Sequence, residues 1–151
     1  MNNWKNTLRI EDGELMADIE ISLLQKHNTI PLRFADADEL TLEAEAAIEA
    51  LLRRLPSLEN TIEEAAYQFY TELSEYRLKH NYQVDMPFAS DNKALLPFYH
   101  LLKIFLPDEI EEGRFGLAFS CDWEEEHGFG LQFRDWQIVE VGGYAQAFEF
   151  D

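Results

Sequence analysis

The stretch FGLAFSCDWEEEHGFGLQF, residues 115–133, decides the fold of this chain. Apolar residues alternate with small or polar ones from Phe115 to Trp123, and again from Phe129 to Phe133. A period of two is typical of β-strands with one buried face. Between the two segments lie the only cysteine, an acidic run, a histidine and two closely spaced glycines. The stretch therefore predicts a β-hairpin with residues 121–130 at its tip.

Further strands are predicted on both sides of this hairpin. Residues Leu15–Leu23 alternate with the same period,. Four other segments have the composition of strands: Trp4–Ile10, Thr29–Phe34, Gln137–Val141 and Tyr144–Phe150,. We expect turns at residues 11–14, 27–28, 135–136 and 142–143,. Pro31 cannot donate a hydrogen bond to a ladder, which predicts that Thr29–Phe34 lies at a sheet edge.

The middle of the chain has helical spacing of apolar residues. The stripe Leu40–Leu55 predicts a helix that Asp36 or Asp38 caps and Pro56 stops,. A second stripe, Ile62–Tyr76, predicts another helix.

Two local signals refine the helical region. Asn60 and Glu63 have the spacing of a capping box at the start of the second helix,. Pro97 suits the first turn of a third helix that continues through Phe105,. Strands, then helices, then strands indicate a single α+β domain over residues 1–151. We expect an antiparallel sheet of N-terminal strands and a C-terminal meander, with about three helices on one face.

Acidic residues dominate the charge of the chain. There are 30 Asp and Glu residues against 12 Lys and Arg, and the formal net charge is −18. Nucleic acids and anionic membrane surfaces are bound through basic residues, so neither is expected as a partner. A basic protein would be attracted to such a surface. The alternative is that the charge only maintains solubility.

Length and composition favour a folded cytoplasmic protein. A chain of 151 residues with 46% hydrophobic residues can bury a core without disulfides,. No apolar run approaches the ~20 residues that span a bilayer. Residues Met1–Asn6 lack the hydrophobic segment of a secretory signal, and one cysteine cannot form an internal disulfide,.

The hairpin tip contains the residues with the most chemical potential. If strand geometry continued to His127, the carboxylates of Asp122, Glu124 and Glu126 would share one side and could hold a hard cation,. A glutamate beside His127 could also form an acid–base pair. The alternative is a solvated acidic turn in which His127 has a structural role. Cys121 lies on the apolar phase of its strand, so we expect a buried thiol rather than a nucleophile.

The sequence assigns no catalytic, cofactor-binding or metal-binding residue, but it does contain surface features suited to protein binding. Two acidic runs and a tryptophan in a predicted turn stand out. The candidates are Asp108, Glu109, Glu111, Glu112, Glu124, Glu125, Glu126, His127 and Trp136. The two runs either form one acidic face or are two unrelated solvated turns.

The signature Cys121-x-Trp123-x-x-Glu126-His127-Gly128 resembles that of an uncharacterised bacterial family of domains of unknown function. Members of that family also begin with a strand pair and a segment like Ile30–Phe34 ahead of two helices, so the likeness covers most of the chain. Small acidic proteins with a similar W-x-x-E-H-G pattern occur among the immunity proteins of bacterial toxin systems. The resemblance favours protein binding and says nothing about catalytic residues.

These observations lead to one leading hypothesis and two alternatives. We predict a non-enzymatic cytoplasmic protein-binding domain without a cofactor; the resemblance points to an immunity protein that neutralises a basic toxin. The first alternative is a metal-dependent enzyme that uses Asp122, Glu124, Glu126 and His127. The second is a structural subunit that associates with itself, and the sequence leaves both a monomer and a homodimer open.

Overall fold

The computed structural model describes residues 3–35, 37–81 and 86–150. They form a seven-stranded sheet in which the strands follow one another in chain order, from β1 at one edge to β7 at the other. The strands are β1 Arg9–Glu11, β2 Glu14–Leu23, β3 Lys26–Phe34, β4 Tyr99–Leu106, β5 Phe115–Cys121, β6 Phe129–Arg134 and β7 Gln137–Gly142. The helices are α1 Leu42–Arg54 and α2 Glu59–Lys79, together with a single α-helical turn at Asn92–Leu95.

The sheet consists of two antiparallel meanders joined by one parallel seam. Strands β1–β3 form the first meander and β4–β7 the second. The seam pairs Leu32 with Ile104, Arg33 with Phe105 and Phe34 with Leu106. The mixed α+β class is therefore confirmed, and so is the hairpin of β5 and β6. The expectation of about three helices is met only by α1, α2 and one short turn.

The third expected helix is wrong, because Tyr99–Leu106 forms β4. Pro97 lies in a 3-10 turn, Leu96–Phe98, directly before this strand. An apolar segment of this length suits a buried strand as well as a helix. Ile104 and Leu106 are buried where β4 lies between β3 and β5. Leu102 is apolar although it is 45% exposed, and the register shifts between Leu101 and Lys103, so the apolar residues of β4 do not alternate as those of β2 and β5 do,.

The helix caps also differ from the sequence prediction. Helix α1 begins at Leu42, and the Oγ1 of Thr41 accepts a hydrogen bond from the N–H of Ala44. Asp38 is not the cap, and Asp36 lies outside the described residues. The expected end of α1 before Pro56 is confirmed, and a 3-10 turn, Leu55–Leu58, leads into α2.

No capping box forms at the start of α2. The N-cap position is Leu58, which makes no side-chain cap, and Asn60 already lies inside the helix. Glu63 instead lies 2% exposed in the core-facing surface of the helix. The Nζ of Lys93 donates a hydrogen bond to its Oε2 at 3.0 Å. The sequence spacing was right for a box, but both residues lie two positions too far along the helix.

Both terminal strand predictions are wrong. Trp4–Thr7 is a 3-10 helix, and the first strand is only Arg9–Glu11. Tyr144–Ala147 is likewise a 3-10 helix. The N-terminal segment buries Trp4, whose Nε1 donates to Glu49 Oε1 at 3.0 Å. In both segments apolar residues pack against the sheet, although the segments themselves form no strand hydrogen bonds with it. Their side chains are therefore buried without being part of a strand.

The first meander is longer than the sequence indicated. The turn between β2 and β3 is at Leu24-Gln25, with φ of 54° and 63°, whereas the expected turn at His27-Asn28 lies within β3. Strand β3 is not at an edge, because it lies between β2 and β4. Pro31 is tolerated there because the pairing with β4 begins only at the next residue, Leu32,.

The two faces of the sheet are covered differently. One face joins the buried sides of α1 and α2 in a single hydrophobic core. On the other face of β5 and β6, the C-terminal segment from Gly143 to Phe150 lies against small residues. A Cβ atom on Gly116 would be 1.6 Å from the carbonyl oxygen of Ala147, and one on Gly130 would be 2.3 Å from that of Gly143. The small residues that alternate with phenylalanines in these strands thus leave room for a backbone.

Candidate functional site

The two acidic runs lie at opposite ends of β5. Residues 108–112 precede the strand and the hairpin tip, residues 122–128, follows it. Seven strand residues span about 20 Å,. The candidate residues therefore do not form one acidic face. Each run has to be considered in its own surroundings.

The first run shares its end of the sheet with Trp136. The backbone N–H of Trp136 donates to the carbonyl oxygen of Gly113 at 3.2 Å. The guanidinium of Arg54 lies 4.5 Å from the centre of the indole ring, and the Nη2 of Arg134 donates to Glu111 Oε1 at 3.1 Å. Trp136 is half-buried and packs onto the domain. It is thus partly structural, while Asp108, Glu109 and Glu112 are exposed beside it.

An acidic cleft of about 430 Å³ opens at the same end of the sheet. The loop after β3, the start of α1 and the loop after β4 form its walls. Its lining has an apolar part and an acidic part, and the described residues contribute no basic side chain to it. The apolar residues include Phe34, Pro107 and Ile110; the acidic ones are Asp38, Glu39, Glu43 and Asp108. This combination can hold the aliphatic stem and the charged head of a lysine or arginine.

Sequence reasoning missed three members of this cleft, Asp38, Glu39 and Glu43, as binding residues. The carboxylates were visible in the sequence as an acidic stretch around the start of α1, and Glu43 lies in the first helical turn, where a negative charge favours the helix dipole,. Their proximity to Asp108 depends on the parallel seam, which brings the ends of β3 and β4 together. The spacing of residues in the sequence does not predict the parallel pairing of β3 with β4.

The hairpin tip has a different arrangement, in which Glu124 is a structural link. Its side chain is 18% exposed. Arg77 of α2 donates from Nη2 to Glu124 Oε2 at 3.2 Å and from Nη1 to the carbonyl oxygen of Trp123 at 2.6 Å. The Nδ1 of His127 lies 3.3 Å from Glu124 Oε1. His127 and Arg77 thus hold the same carboxylate from two sides and fasten the tip to α2.

The tip is a turn, so the strand geometry that would align its carboxylates is not present. Asp122, Glu125 and Glu126 are exposed, and only Glu124 is tied down. Within residues 3–35, 37–81 and 86–150, no group of three His, Cys, Asp or Glu side chains is placed to hold a metal ion.

Cys121 is 2% exposed, as its strand phase indicates. Burial raises the pKa of the thiol from its ordinary value of 9.0 to about 12,. Its Sγ donates to the carbonyl oxygen of Glu124 at 3.5 Å. A protonated, enclosed thiol is a poor nucleophile at neutral pH.

Most basic side chains of the described residues are already engaged. Ion pairs join Lys5 to Glu45, Arg9 to Asp18, Arg33 to Glu14, Arg77 to Glu124, Lys93 to Glu63, Arg114 to Glu109 and Arg134 to Glu111. Lys26 donates from Nζ to the carbonyl oxygens of Leu96 and Tyr99. The remaining carboxylates have few internal cations to pair with.

No helix among the described residues combines the length and the apolar character needed to cross a bilayer.

Comparison with known proteins adds one family assignment. No curated protein and no solved structure gives a significant match to the chain. A family model does match, and it extends over residues 5–148. The chain therefore belongs to the family described as a domain of unknown function, DUF6985.

Proposed function

We propose that this protein is a non-enzymatic binding domain that captures a basic protein. The observation that carries the proposal is the acidic cleft, whose four carboxylates have no basic side chain among the described lining residues. A protein with a net charge of −18 attracts cationic partners over long distances, and salt weakens that attraction,.

The cleft supplies the short-range part of this recognition. A lysine or arginine of the partner would lay its aliphatic stem against Phe34, Pro107 and Ile110 and direct its charge toward Asp38 and Asp108,. Bringing the side chain out of water is favourable only if its charge finds such partners. The cleft therefore selects a cation over a neutral or acidic side chain.

A toxin is the first partner to test. The likeness of residues 121–128 to the W-x-x-E-H-G pattern of bacterial immunity proteins favours an antidote that blocks a basic toxin in the cytoplasm. Glu124 is held by Arg77 and His127 at the hairpin tip, and this structural role supports a binding scaffold.

The test compares two doubly neutralised variants in capture from a native lysate. Asp38→Asn/Glu43→Gln removes two carboxylates of the cleft, and Glu75→Gln/Glu149→Gln removes two exposed ones elsewhere. We expect a basic protein to be retained at about 50 mM salt and released at about 500 mM. The cleft variant should lose it, and the control should keep it. Retention of no basic protein at low salt would contradict the proposal, and equal retention by both variants would remove the cleft from it.

A further inference from the structure

Strand β7 leaves a long, apolar edge open. Residues Gln137–Gly142 pair with β6 only, since β7 is the last strand of the sheet. Val139 is 50% exposed and Val141 is 45% exposed. At the other edge, β1 has only three residues. An edge strand presents backbone N–H and C=O groups without partners, which another extended chain can pair with.

A groove runs beside this edge beneath α2. In the register of the hairpin, Ile138 lies opposite Phe133 and Val141 opposite Leu131, so both point to the face that carries the helices. They form the floor of a groove of about 460 Å³ whose other wall is α2. Its lining residues are Thr61, Glu64, Ala65, Gln68, Phe69, Glu72, Ile138 and Val141.

The charges of the groove are one-sided. Glu64 and Glu72 are exposed on α2, and the described lining contains no basic residue. Between these carboxylates, Ala65 and Phe69 provide apolar surface. On an added strand, every second side chain would point into the groove. Lysine or arginine at those positions would place an aliphatic stem on the apolar floor and a charge beside the glutamates.

We propose that β7 is the docking edge for the basic partner, which adds an extended segment with alternating lysine or arginine residues as an eighth strand. This inference rests on the proposed function and specifies how part of the partner binds. Backbone hydrogen bonds to β7 give the affinity, and the glutamates of α2 select the side chains.

Two other occupants fit less well. A second copy of the chain would bring Glu64, Glu72 and Glu140 close to their own counterparts, and like charges repel. A docked helix could fill the groove but would leave the backbone groups of β7 unpaired.

The probe is a short synthetic peptide of alternating valine and lysine. Two matched peptides accompany it: one alternates valine and glutamate, and the other has the first sequence with N-methylated backbone amides. Binding is measured by titration of the isotope-labelled full chain, with amide hydrogen exchange of residues 137–142 as the local readout. We expect the valine–lysine peptide to bind and to slow exchange in β7, and both matched peptides to bind weakly.

Two charge reversals on α2 provide matched variants. Glu72 lines the groove, whereas Glu75 is exposed on the same helix outside it. We expect Glu72→Arg to weaken the valine–lysine peptide about fivefold or more and Glu75→Arg to change its affinity about twofold at most. Circular dichroism of both variants checks that α2 is intact.

The outcomes separate this inference from the proposed function. No binding of the valine–lysine peptide, or equal binding of its N-methylated form, overturns strand addition while leaving capture of a basic protein at the cleft intact. Equal binding of the valine–glutamate peptide shows an open edge without charge selection, which contradicts the proposal for a basic partner. Protection of β7 that grows with protein concentration alone, together with a dimer in sedimentation, assigns the edge to a second copy.

Discussion

Trp123 is 1% exposed and lies edge-on to the rings of Tyr70 and Tyr99. Its neighbours in the tip signature have equally structural surroundings. Gly128 has φ of 65°, and a Cβ atom there would be 2.8 Å from the carbonyl oxygen of Phe119. A side chain at this position is strained both by its conformation and by that contact. Trp123 and Gly128 thus define the shape of the turn that carries the acidic residues.

Cys121 gives a prediction about alkaline stability. Below pH 9 its thiol is protonated in both folded and unfolded chains, so its contribution is fully present. As pH rises above 9, the unfolded thiol ionises first, and stability is lost until the folded pKa of about 12 is reached,. We expect the free energy of unfolding to fall by about 1 kcal/mol per pH unit from this residue. Urea unfolding of the wild type and Cys121→Ala at pH 7 and 10 measures it.

The alanine variant also loses stability because of the cavity that it leaves. This loss is the same at both pH values, so it cancels when the two pH values are compared. Tyr99 is a second buried group whose pKa is raised, mainly by burial. It remains in both proteins and therefore cancels. An equal loss of stability in wild type and variant would show that the thiol is accessible to ionisation in the folded state.

At the scale of single residues, the sequence predicted which side chains are buried better than it predicted which side chains contact one another. The phase of β5 correctly placed Cys121 in the core. It did not predict the pairing of Glu124 with Arg77, because the two residues are 47 positions apart and belong to different elements. Local periodicity reports which way a side chain points. What it meets there depends on how the elements pack.

At the scale of elements, two substitutions at the start of α1 distinguish the observed helix cap, Thr41, from the predicted cap, Asp38. Thr41→Ala removes the hydroxyl that accepts from the N–H of Ala44, so we expect a loss of about 1 kcal/mol in the free energy of unfolding,. Asp38→Ala is the matched control and should change it by less than about 0.5 kcal/mol. Chemical denaturation measures both. A larger loss in the Asp38 variant would restore the aspartate as the cap.

The C-terminal segment gives a second prediction for an element. Gly116→Ala places a methyl group against the backbone of Ala147, and we expect a loss of about 3 kcal/mol in the free energy of unfolding,. Gly13→Ala is the control: its φ is 81°, but nothing lies within 4 Å of the new atom. Its cost should be about 1 kcal/mol. Equal costs would mean that the segment yields easily, and limited proteolysis of residues 143–150 would then show it released.

Several elements that sequence patterns identified share one property: the residues on one face differ in size or polarity from those on the other. Strands β2, β5 and β6 and helix α2 meet that condition. Strand β4 was mistaken for a helix because the apolar residues Leu101 and Leu102 are adjacent at a register shift, which interrupts its period of two,. The terminal segments were mistaken for strands because they pack on the sheet without joining it. Their burial arises from the final assembly and leaves no local signal.

For the whole molecule, charge repulsion predicts how stability depends on salt. With a net charge of −18, folding brings carboxylates closer together, and added ions screen them,. We expect the melting temperature to rise between about 20 and 500 mM NaCl. KCl should give the same rise if screening is the cause. A flat or falling melting temperature would show that the internal ion pairs outweigh the repulsion.

The candidate site could be predicted only in part, and the limit was topology. The acidic runs were visible as runs, and their exposure was expected. Whether Asp108 lies near Glu124 or near Asp38 depends on the direction of β5 and on the seam between β3 and β4. The sheet places Asp108 with Asp38, at the far end from Glu124. Strand order, rather than composition, therefore determines which carboxylates act together.

The parallel seam has a consequence for how the protein is assembled. Each meander can form from neighbouring stretches of chain. In contrast, Leu32–Phe34 pairs with β4 across a long intervening segment that contains both helices. Closing so long a connection is slow in comparison with forming a hairpin. We expect the seam to close last. We then expect that two fragments, produced by cutting the chain between α2 and β4, reassociate non-covalently through the seam.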